Sequence, residues 1–594
     1  MKLHFITTTF AIVQRLLQFP WDVGCNLRDM NATTSFLTLS LVAILAPCSH
    51  WGQNPMLLPP LVTDTEVTLV MDHGEHTFHE GVITATMGCN GPVLAPVLEV
   101  HKGDVVSWNV TNNIDEMTTM HWHGMHVAPE NDGGPHSVIA PGETWSPSFE
   151  VLDEAGTYWY HPHLHMMTNK HVSLGVAGMI WVRDAEEQAL DLPRTYGVDE
   201  FPVILQTKAF DADGNIVPDS NTDDVAMVNA TVDASVDVPA QVLRFHMLNG
   251  SSQRVFNLGL EGDMTFHMMA TEGGLLPEPV ALTRLRLAPG ERCELLVDAN
   301  GLEESTLRWM SFASELSNGF YGATYPGMGA GMSMDGYNPN PLNGADFSLL
   351  EMNVSASTEN AVTAIPSALD DTNGMPWSTT DIDTYRTVTM SPVQMGPNQL
   401  NGEFLLNGAP FNMDVINYTI PLNNLEAWTI SNNSGIAHPF HIHDVQFYIQ
   451  NFNGIPVGPE FAGRKDVVLV PPMSTASFMA KFEDFANPDI PYMYHCHMLT
   501  HEDGGMMGQF VVVDPSDVNE AEATAALTFP NPAHDRLQLS GFEGAWSVVN
   551  TQGQTLAQGQ LTTREEVIDT SRWPNGLYVL RPATGQAVTF VVQH

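Results

Sequence analysis

The stretch YMYHCHMLTHEDGGMMG, residues 492–508, carries the most informative pattern in the chain. Its aromatic and apolar first part is typical of a strand that runs into a turn. Side chains alternate between the two faces of a strand, so His495 and His497 point one way and Cys496 points the other. One thiol on one side and two imidazoles on the other predict two metal centres joined by a few covalent bonds.

Two further residues of this stretch extend the possible ligand set. His501 lies five residues after Cys496, and Met506 lies ten residues after it. A cysteine, histidines and a weak thioether together form the ligand set of an electron-transfer copper site. The stretch therefore predicts such a site if the rest of the chain supplies the missing ligands.

Three more histidine pairs with one intervening residue occur upstream. They are His121 and His123 in HWHG, His161 and His163 in HPH, and His441 and His443 in HPFHIH, which begins at His438. One such pair arises easily by chance, whereas four in one chain do not. Because two pairs lie in a first block and two in a third, the eight imidazoles converge only if these blocks pack face to face. The pattern predicts a multinuclear metal centre at that interface.

Charge and cysteine usage exclude some classes of function. Acidic residues outnumber basic residues by 68 to 22 among 594, which gives a net charge of −46. This field repels phosphate backbones, so we expect no nucleic-acid partner. Cys25 and Cys48 precede the expected mature start. Cys89 and Cys293 are expected to be buried free thiols, because no disulfide framework fits the count of five.

The amino terminus carries an apolar run, Phe36–Cys48, that indicates a signal peptide, since thirteen residues are too few to span a bilayer. Residues 1–52 are assigned to this region, with Gly52 at the cleavage edge and Met30 as an alternative true start. We expect an exported protein whose mature chain has no transmembrane segment.

The remaining chain consists of short β-type runs broken by glycine, proline and asparagine, which is typical of β-sandwiches. We predict an all-β fold with three sandwich domains at residues 53–186, 187–356 and 357–514. A linker at residues 515–526 leads to a small C-terminal β-sandwich module at residues 527–594.

Four histidine motifs follow one another along the chain: HWHG, HPH, HPFHIH and HCHxxxHxxxxM. Their order and spacing resemble those of the multicopper oxidases, the family of laccases, bilirubin oxidases and copper-efflux oxidases. The resemblance covers about residues 62–514. It extends to GLLPEPV at Gly274–Val280 and PGER at Pro289–Arg292, which resemble the second domain of bacterial copper-efflux oxidases. It implies three cupredoxin-like Greek-key domains, of which the middle one holds no copper ligands and serves as a spacer.

The resemblance also implies four copper ions and their ligands. The type 1 copper would bind Cys496, His438 and His501, with Met506 as weak axial ligand, since the spacing favours Met506 over Met507. The type 2 copper would bind His121 and His441. The type 3 pair would bind His123, His161, His163, His443, His495 and His497.

A route for electrons and protons follows from the same resemblance. A substrate would give single electrons to the type 1 site through an exposed edge of His438 or His501. Electrons would pass through Cys496 and its neighbours His495 and His497 to the trinuclear centre, where dioxygen is reduced to two waters.

Two acidic residues complete that route. Glu502 and Asp132 resemble acidic positions proposed as proton donors in the family. For each, the alternative is an ordinary acidic loop residue.

For the electron donor, the sequence favours laccase-like oxidation of phenolic or similar small organic substrates. A cuprous or other metal-ion oxidase in copper detoxification is the alternative, although Ser434–Ala437 lacks the acid and methionines expected next to His438. A copper-binding or storage protein without turnover is the alternative from another class. Two further stretches contain possible metal ligands. Met328, Met332 and Met334 could bind Cu(I), and the alternative is that these methionines simply fill gaps in the packing. His73, His76 and His79 could form a peripheral metal site, and the alternative is an exposed hairpin.

The C-terminal module carries a second resemblance. FPNPAHDRLQL at Phe529–Leu539 and PNGLYVLR at Pro574–Arg581 resemble the sorting domain of the bacterial type IX secretion system, with a generic small β-sandwich as the alternative. The resemblance implies the type IX machinery as a partner. It also implies an enzyme that is secreted or held at the cell surface after crossing the periplasm of a Gram-negative bacterium.

Overall fold

The computed structural model describes residues 54–594 except 328–336, 338–339, 371–372, 395–399, 401, 517–526, 530, 541–543, 551–553, 563–564 and 583–587. The predicted signal region, Met328, Met332, Met334 and most of the predicted linker at 515–526 lie outside the described residues. Short 3₁₀ turns occur at Pro129–Asn131, Glu261–Asp263, Ala313–Glu315 and Pro459–Phe461.

The first sandwich packs two sheets around one core. Its strands and those just before it are β1 (Asn54–Pro55), β2 (Leu61–Val62), β3 (Glu66–His79), β4 (Val82–Cys89), β5 (Val97–His101), β6 (Val105–Asn112), β7 (His121–His123), β8 (Thr144–Trp145), β9 (Ser148–Glu150), β10 (Gly156–His161) and β11 (Gly178–Arg183), with helices α1 (Thr168–Leu174) and α2 (Ala185–Gln188). The sheet orders are β2-β5-β11-β10-β7 and β4-β3-β6-β8, with β9 on β6. Along β6, Val106, Trp108 and Val110 are buried by the two-residue alternation, and they meet Leu98 and Ile180 of the facing sheet.

The second sandwich takes one strand from the extreme N-terminal end of the described chain. Its strands are β12 (Glu200–Lys208), β13 (Val225–Val228), β14 (Thr231–Val232), β15 (Ala234–Pro239), β16 (Val242–Asn249), β17 (Phe256–Leu260), β18 (Phe266–Thr271), β19 (Gly274–Leu282), β20 (Leu285–Leu287), β21 (Arg292–Asp298), β22 (Thr306–Phe312) and β23 (Asp346–Ser355). The sheet orders are β14-β13-β12-β16-β21-β18-β19 and β1-β15-β23-β22-β17-β20. Asn54 and Pro55 pair with Ala234 and Ser235, so β1 belongs to this sheet although the sequence placed it in the first domain.

The third sandwich holds the stretch that contains Cys496. Its strands are β24 (Thr384–Pro392), β25 (Phe404–Leu406), β26 (Tyr418–Pro421), β27 (Leu425–Asn432), β28 (His438–Ile442), β29 (Phe447–Phe452), β30 (Ile455–Pro456), β31 (Val467–Val470), β32 (Thr475–Lys481), β33 (Asn487–Cys496) and β34 (Met507–Val513), with helix α3 (Leu499–Asp503). The sheet orders are β25-β24-β27-β32-β29-β30 and β26-β34-β33-β28-β31. Trp428 and Phe478 of the first sheet pack with Phe440, Tyr494 and Cys496 of the second.

The C-terminal module is a smaller two-sheet unit. Its strands are β35 (Leu527–Phe529), β36 (Arg536–Ser540), β37 (Gly544–Asn550), β38 (Thr555–Leu561), β39 (Glu565–Asp569), β40 (Gly576–Pro582) and β41 (Val588–Val592). The sheet orders are β35-β36-β39 and β38-β37-β40-β41, and Leu539 and Trp546 meet in their shared core. The prediction of an all-β chain is confirmed, and the predicted domain boundaries stay predictions.

Candidate metal centres

A thiol and two imidazoles meet in the core of the third sandwich. Cys496 Sγ lies 3.5 Å from His438 Nδ1 and 3.6 Å from His501 Nδ1. His438 begins β28, Cys496 ends the neighbouring strand β33, and His501 follows on α3. Burial raises the pKa of the Cys496 thiol, so a thiolate in this pocket needs a cation beside it. The pocket has the soft and imidazole donors that suit copper.

Strand register separates the two methionines that follow. Met507 lies directly opposite His495 in the β33–β34 pair, so it shares the face of His495. Met506 precedes it by one residue and is buried in the same cluster as Cys496. The alternation therefore places Met506, and not Met507, on the thiol side of the sheet.

The expectation of an exposed histidine edge beside the thiol is wrong. His438 and His501 are 0% and 1% exposed. His438 Nε2 lies within hydrogen-bond distance of Ser434 Oγ at 2.9 Å, and His501 Nε2 donates to the Leu400 carbonyl at 2.6 Å. Phe404 also packs against both rings, with centroids 4.7 and 4.5 Å away. Ser434, the Leu400 carbonyl and Phe404 therefore cover both rings.

The four histidine pairs converge on a second centre between the first and third sandwiches. Register sets the pairs side by side, since His121 lies opposite His161 and His441 lies opposite His495. Rings from the two sandwiches then stack, for example His121 on His443 with centroids 3.9 Å apart. The predicted convergence is confirmed.

The imidazoles divide into groups whose ligand atoms lie within 4.8 Å of one another, and all of them are buried. The groups are His121 with His441 and His443; His123 with His161 and His497; and His163 with His443 and His495. On one face of the strand, His495 and His497 thus reach two of these groups, whereas Cys496 on the other face reaches His438 and His501.

Unpartnered nitrogens show that this cluster fits metal ions. Nδ1 of His121 donates to the Asp132 carbonyl and Nδ1 of His441 donates to the Asp466 carbonyl, both at 2.8 Å. These bonds leave both Nε2 atoms buried without a hydrogen-bond partner among the described residues. Burial first and the neighbouring histidines second lower the pKa of both rings, so they are neutral and their Nε2 lone pairs are free to bind a metal.

Asp132 lies against this cluster from the first sandwich. Its Oδ2 accepts from His443 Nδ1 at 2.9 Å, and its Oδ1 has no hydrogen-bond partner among the described residues. Burial, and then the nearby Asp444 carboxylate, raise the pKa of Asp132 well above its usual range. A carboxyl of this kind can hold a proton beside the histidines.

Glu502 lies against two other histidines of the cluster. Its Oε1 lies 3.3 Å from His163 Nδ1 and its Oε2 lies 3.3 Å from His495 Nδ1. Burial, and then the charge of Asp503, raise the pKa of Glu502 well above its usual range. Both predicted acids therefore lie beside histidines of the cluster, with chemistry suited to proton transfer.

Asp466 is a residue of the site that the sequence reasoning missed. It forms a further group with His123 and His441, and it is fully buried. It lies in RKDVVLV, where charged residues run directly into the apolar strand β31. Charges at the start of a buried strand indicate a buried ion pair, and that signal was available in the sequence.

The histidines near the amino terminus lie in a hairpin, formed by β3 and β4. His73 Nε2 lies 3.1 Å from Asp115 Oδ1, and His76 Nε2 donates to the Ala230 carbonyl at 3.1 Å. No group of potential metal ligands within the described residues includes His73, His76 or His79. The predicted exposed hairpin accounts for them.

The remaining thiols agree with the prediction. Cys89 and Cys293 are buried and free.

Comparison with known proteins identifies the same architecture. Residues 71–187 and residues 374–516 each match a multicopper oxidase family model. The multicopper oxidase mco of Staphylococcus aureus is 31% identical over 480 residues, covering 78% of this chain and 94% of the relative. The cell division protein FtsP of Sodalis glossinidius is 31% identical over 499 residues, covering 82% of this chain and 98% of the relative.

Solved structures extend the comparison to the fold. A laccase-like multicopper oxidase CueO from Ochrobactrum sp., with oxidase activity towards lignin model compounds and lignosulfonate, is 32% identical with a TM-score of 0.68, covering 77% of this chain and 100% of that one. A multicopper oxidase from Pediococcus acidilactici is 30% identical with a TM-score of 0.66, covering 79% of this chain and 93% of that one. These matches confirm the cupredoxin-like fold class.

The end of the chain matches a different family. Residues 527–592 match the secretion system C-terminal sorting domain, which confirms the predicted sorting tail and points to export. In the part of the chain that the structure describes, no helix has the length and apolar character needed to cross a membrane. The chain therefore belongs to the multicopper oxidase family and ends in a secretion sorting domain.

Proposed function

We propose that this chain is a secreted, laccase-like oxidase. It would couple one-electron oxidation of phenolic or similar small donors to the four-electron reduction of dioxygen to water. The observation that carries the proposal is the placement of His495, Cys496 and His497, which joins the thiol pocket to the histidine cluster by consecutive residues. A storage protein has no need of such a connection, whereas an enzyme that moves electrons between two centres does.

The ligand assignment follows from the same groups. We propose four copper ions, with Cys496, His438, His501 and Met506 around the type 1 ion and His121 and His441 around the type 2 ion. The type 3 pair would take His123, His161 and His497 on one side and His163, His443 and His495 on the other. When bound, copper supplies one-electron redox chemistry and a centre that binds oxygen species.

The chain's own residues would hold the ligands, exclude water and supply protons. The Asp132 and Asp466 carbonyls turn His121 and His441 so that Nε2 points inward. Asp132 and Glu502 would each hold a proton on a carboxyl oxygen next to the cluster. Full burial of the histidines keeps bulk water from the site.

For the donor, the surroundings of His438 support an organic substrate. Ser434, whose hydroxyl is hydrogen-bonded to His438 Nε2, brings neither a carboxylate nor a thioether to this position. Cu(I) prefers thioether and thiolate ligands, so the segment Ser434–Ala437 offers it no docking site. The activity of the Ochrobactrum relative towards lignin model compounds supports phenolic donors for this chain.

Oxygen consumption by the copper-loaded full chain tests the proposal. We expect uptake with a methoxyphenol, and separate assays with bilirubin, Cu(I) and Mn(II) would define the donor range. Uptake with Cu(I) alone would make the chain a cuprous oxidase. Absence of uptake with every donor, together with stable copper binding, would make it a storage protein.

Export through the type IX system is the matching proposal for the location. The sorting domain at residues 527–592 supports it. The chain would cross the periplasm before the secretion machinery recognises this domain. The mature enzyme would then act outside the cell, where phenolic donors and dioxygen are both available.

A further inference from the structure

Arg292 lies at the end of the PGER motif in the middle sandwich, which has no histidine in the metal-binding groups of the described residues. It is the first residue of β21 and is 0% exposed. An arginine buried to this extent must have strong partners, because desolvation of its charge is costly. Within its own sandwich the side chain donates from Nη1 to the Gly290 carbonyl at 3.2 Å, and its other hydrogen-bond partners lie in the other two sandwiches.

The guanidinium of Arg292 forms a two-pronged ion pair with Asp466 of the third sandwich. Nη1 lies 2.6 Å from Asp466 Oδ1, and Nη2 lies 2.7 Å from Oδ2. Nε donates to the carbonyl of Thr157 on β10 of the first sandwich at 2.9 Å. A single side chain therefore ties the three sandwiches together, with the planar geometry that only arginine offers.

Asp466 in turn holds two histidines of the cluster. His123 Nε2 donates to Asp466 Oδ1 at 3.0 Å, and His441 Nδ1 donates to the Asp466 carbonyl at 2.8 Å. The first bond turns His123 so that its Nδ1 faces His161 Nε2 at 3.4 Å. The bound carboxylate thus sets which nitrogen of His123 faces the cluster.

Two glycines show how closely the backbone closes around this pair. A Cβ on Gly124, the last residue of HWHG, would lie 2.5 Å from Arg292 Nη2 and would also contact Asp466. A Cβ on Gly290, in PGER, would lie 2.8 Å from the His497 ring. Both glycines have positive φ, at +87° and +82°. The glycines of these two motifs therefore leave room for Arg292, Asp466 and His497.

We propose that Arg292 is a positioning residue for the trinuclear copper centre and that the middle sandwich is more than a spacer. Arg292 acts through Asp466 on two histidines. His123 is a proposed type 3 ligand, and His441 is a proposed type 2 ligand. This inference rests on the proposed function, because it concerns copper bound at those histidines.

Arg292→Lys is the informative change, since lysine keeps the charge but cannot make both contacts to Asp466. Arg244→Lys is the matched control. Arg244 is equally buried in the middle sandwich, and its Nε and Nη2 contact Glu294 at 2.9 and 2.6 Å. It contacts none of the histidines in the metal-binding groups described here. Both variants lose a buried ion pair in which two guanidinium nitrogens contact one carboxylate, but only Arg292→Lys disturbs Asp466.

The full-length chain is loaded with copper and titrated with a copper chelator. Type 2 copper is followed by its electron paramagnetic resonance signal, and type 1 copper by the blue colour. In Arg292→Lys we expect type 2 copper to be lost at about 10–100-fold lower chelator concentration, as is typical for partners of metal ligands, with altered hyperfine splitting and intact colour. Arg244→Lys should match the wild-type chain in both signals.

Several outcomes would overturn the inference. One is a wild-type type 2 signal and affinity in Arg292→Lys, and another is an equal loss in Arg244→Lys. If Arg292→Lys fails to fold, Asp466→Asn decides in the same titration, where an unchanged type 2 signal also refutes the inference. A wild-type chain that binds no copper overturns the proposed function and the inference with it. A blue wild-type chain with an unaltered variant overturns the inference alone.

Discussion

Replacement of Cys496 by serine tests whether one strand separates two centres. The thiol is 0% exposed and faces His438 and His501, whereas its neighbours His495 and His497 leave the strand on the other face. Serine removes the soft ligand without changing the shape of the strand. We expect Cys496→Ser to lose the blue colour and all turnover, to bind one copper ion fewer per chain, and to keep the type 3 copper.

The cost in stability follows from the burial of the new hydroxyl. A buried hydroxyl with imperfect partners costs about 1–3 kcal/mol, which is less than the roughly 5–15 kcal/mol stability of a typical domain. The variant should therefore fold. Cys293→Ser is the matched control, because Cys293 is also a 0% exposed free thiol but belongs to no group of metal ligands among the described residues. It should lose similar stability and keep its colour, copper and turnover.

Copper content, visible absorbance and oxygen uptake, measured on both variants, decide the matter. A Cys496→Ser chain that stays blue would show that the type 1 site lies elsewhere. A chain that also loses the type 3 copper would show that the strand does not keep the two centres independent. Either result would refute the reasoning from strand alternation.

Three further changes have defined outcomes. Glu502→Gln should lower oxygen uptake by about 10²–10⁴-fold with copper content and colour unchanged, because an amide cannot transfer the proton, and an unaltered rate would remove Glu502 from the reaction. Burial lowers the pKa of His126, but Asp444 at 2.9 Å and Asp153 outweigh it and raise that pKa to about 10. The protonated His126 ring stabilises the folded state, and this contribution is fully present below pH 6.5. Roughly 3–5 kcal/mol of the free energy of unfolding should therefore be lost as the pH rises from 6.5 to about 10. Denaturant unfolding of His126→Gln should show a flatter pH dependence than the wild-type chain, and parallel curves would contradict this. A chain that ends at residue 514 should keep wild-type oxygen uptake but stay inside the producing cell, and its recovery from the medium would contradict the role of the tail.

The convergence of the histidines could be predicted because strand alternation is a local property. His495, Cys496 and His497 take opposite faces whatever the rest of the chain does. The spacing of His501 and Met506 after Cys496 is also local, and the structure brings both into the same pocket or core cluster as the thiol. Because two histidine pairs lie in the first block and two in the third, the sequence also predicted that the first and third sandwiches pack face to face.

Contacts between distant segments could not be predicted in this way. The cover over His438 and His501 comes from Ser434, Phe404 and the Leu400 carbonyl, and the last two lie at least 34 residues earlier in the chain than His438. The pairing of β1 with β15 joins residues about 180 positions apart. No periodicity in the sequence reports which loop will cover a pocket or which edge will receive a terminal strand.

By itself, then, the sequence determined the fold class, the four histidine pairs and the placement of a thiol back to back with two imidazoles. These follow from periodicity and residue chemistry, which act over a few residues. Only the tertiary structure decided that both histidines beside Cys496 are buried and that Arg292 of the middle sandwich reaches Asp466 of the third and Thr157 of the first. Those contacts depend on how the surfaces of the three sandwiches pack against one another, since a buried charge pairs with whichever group the packing brings within reach.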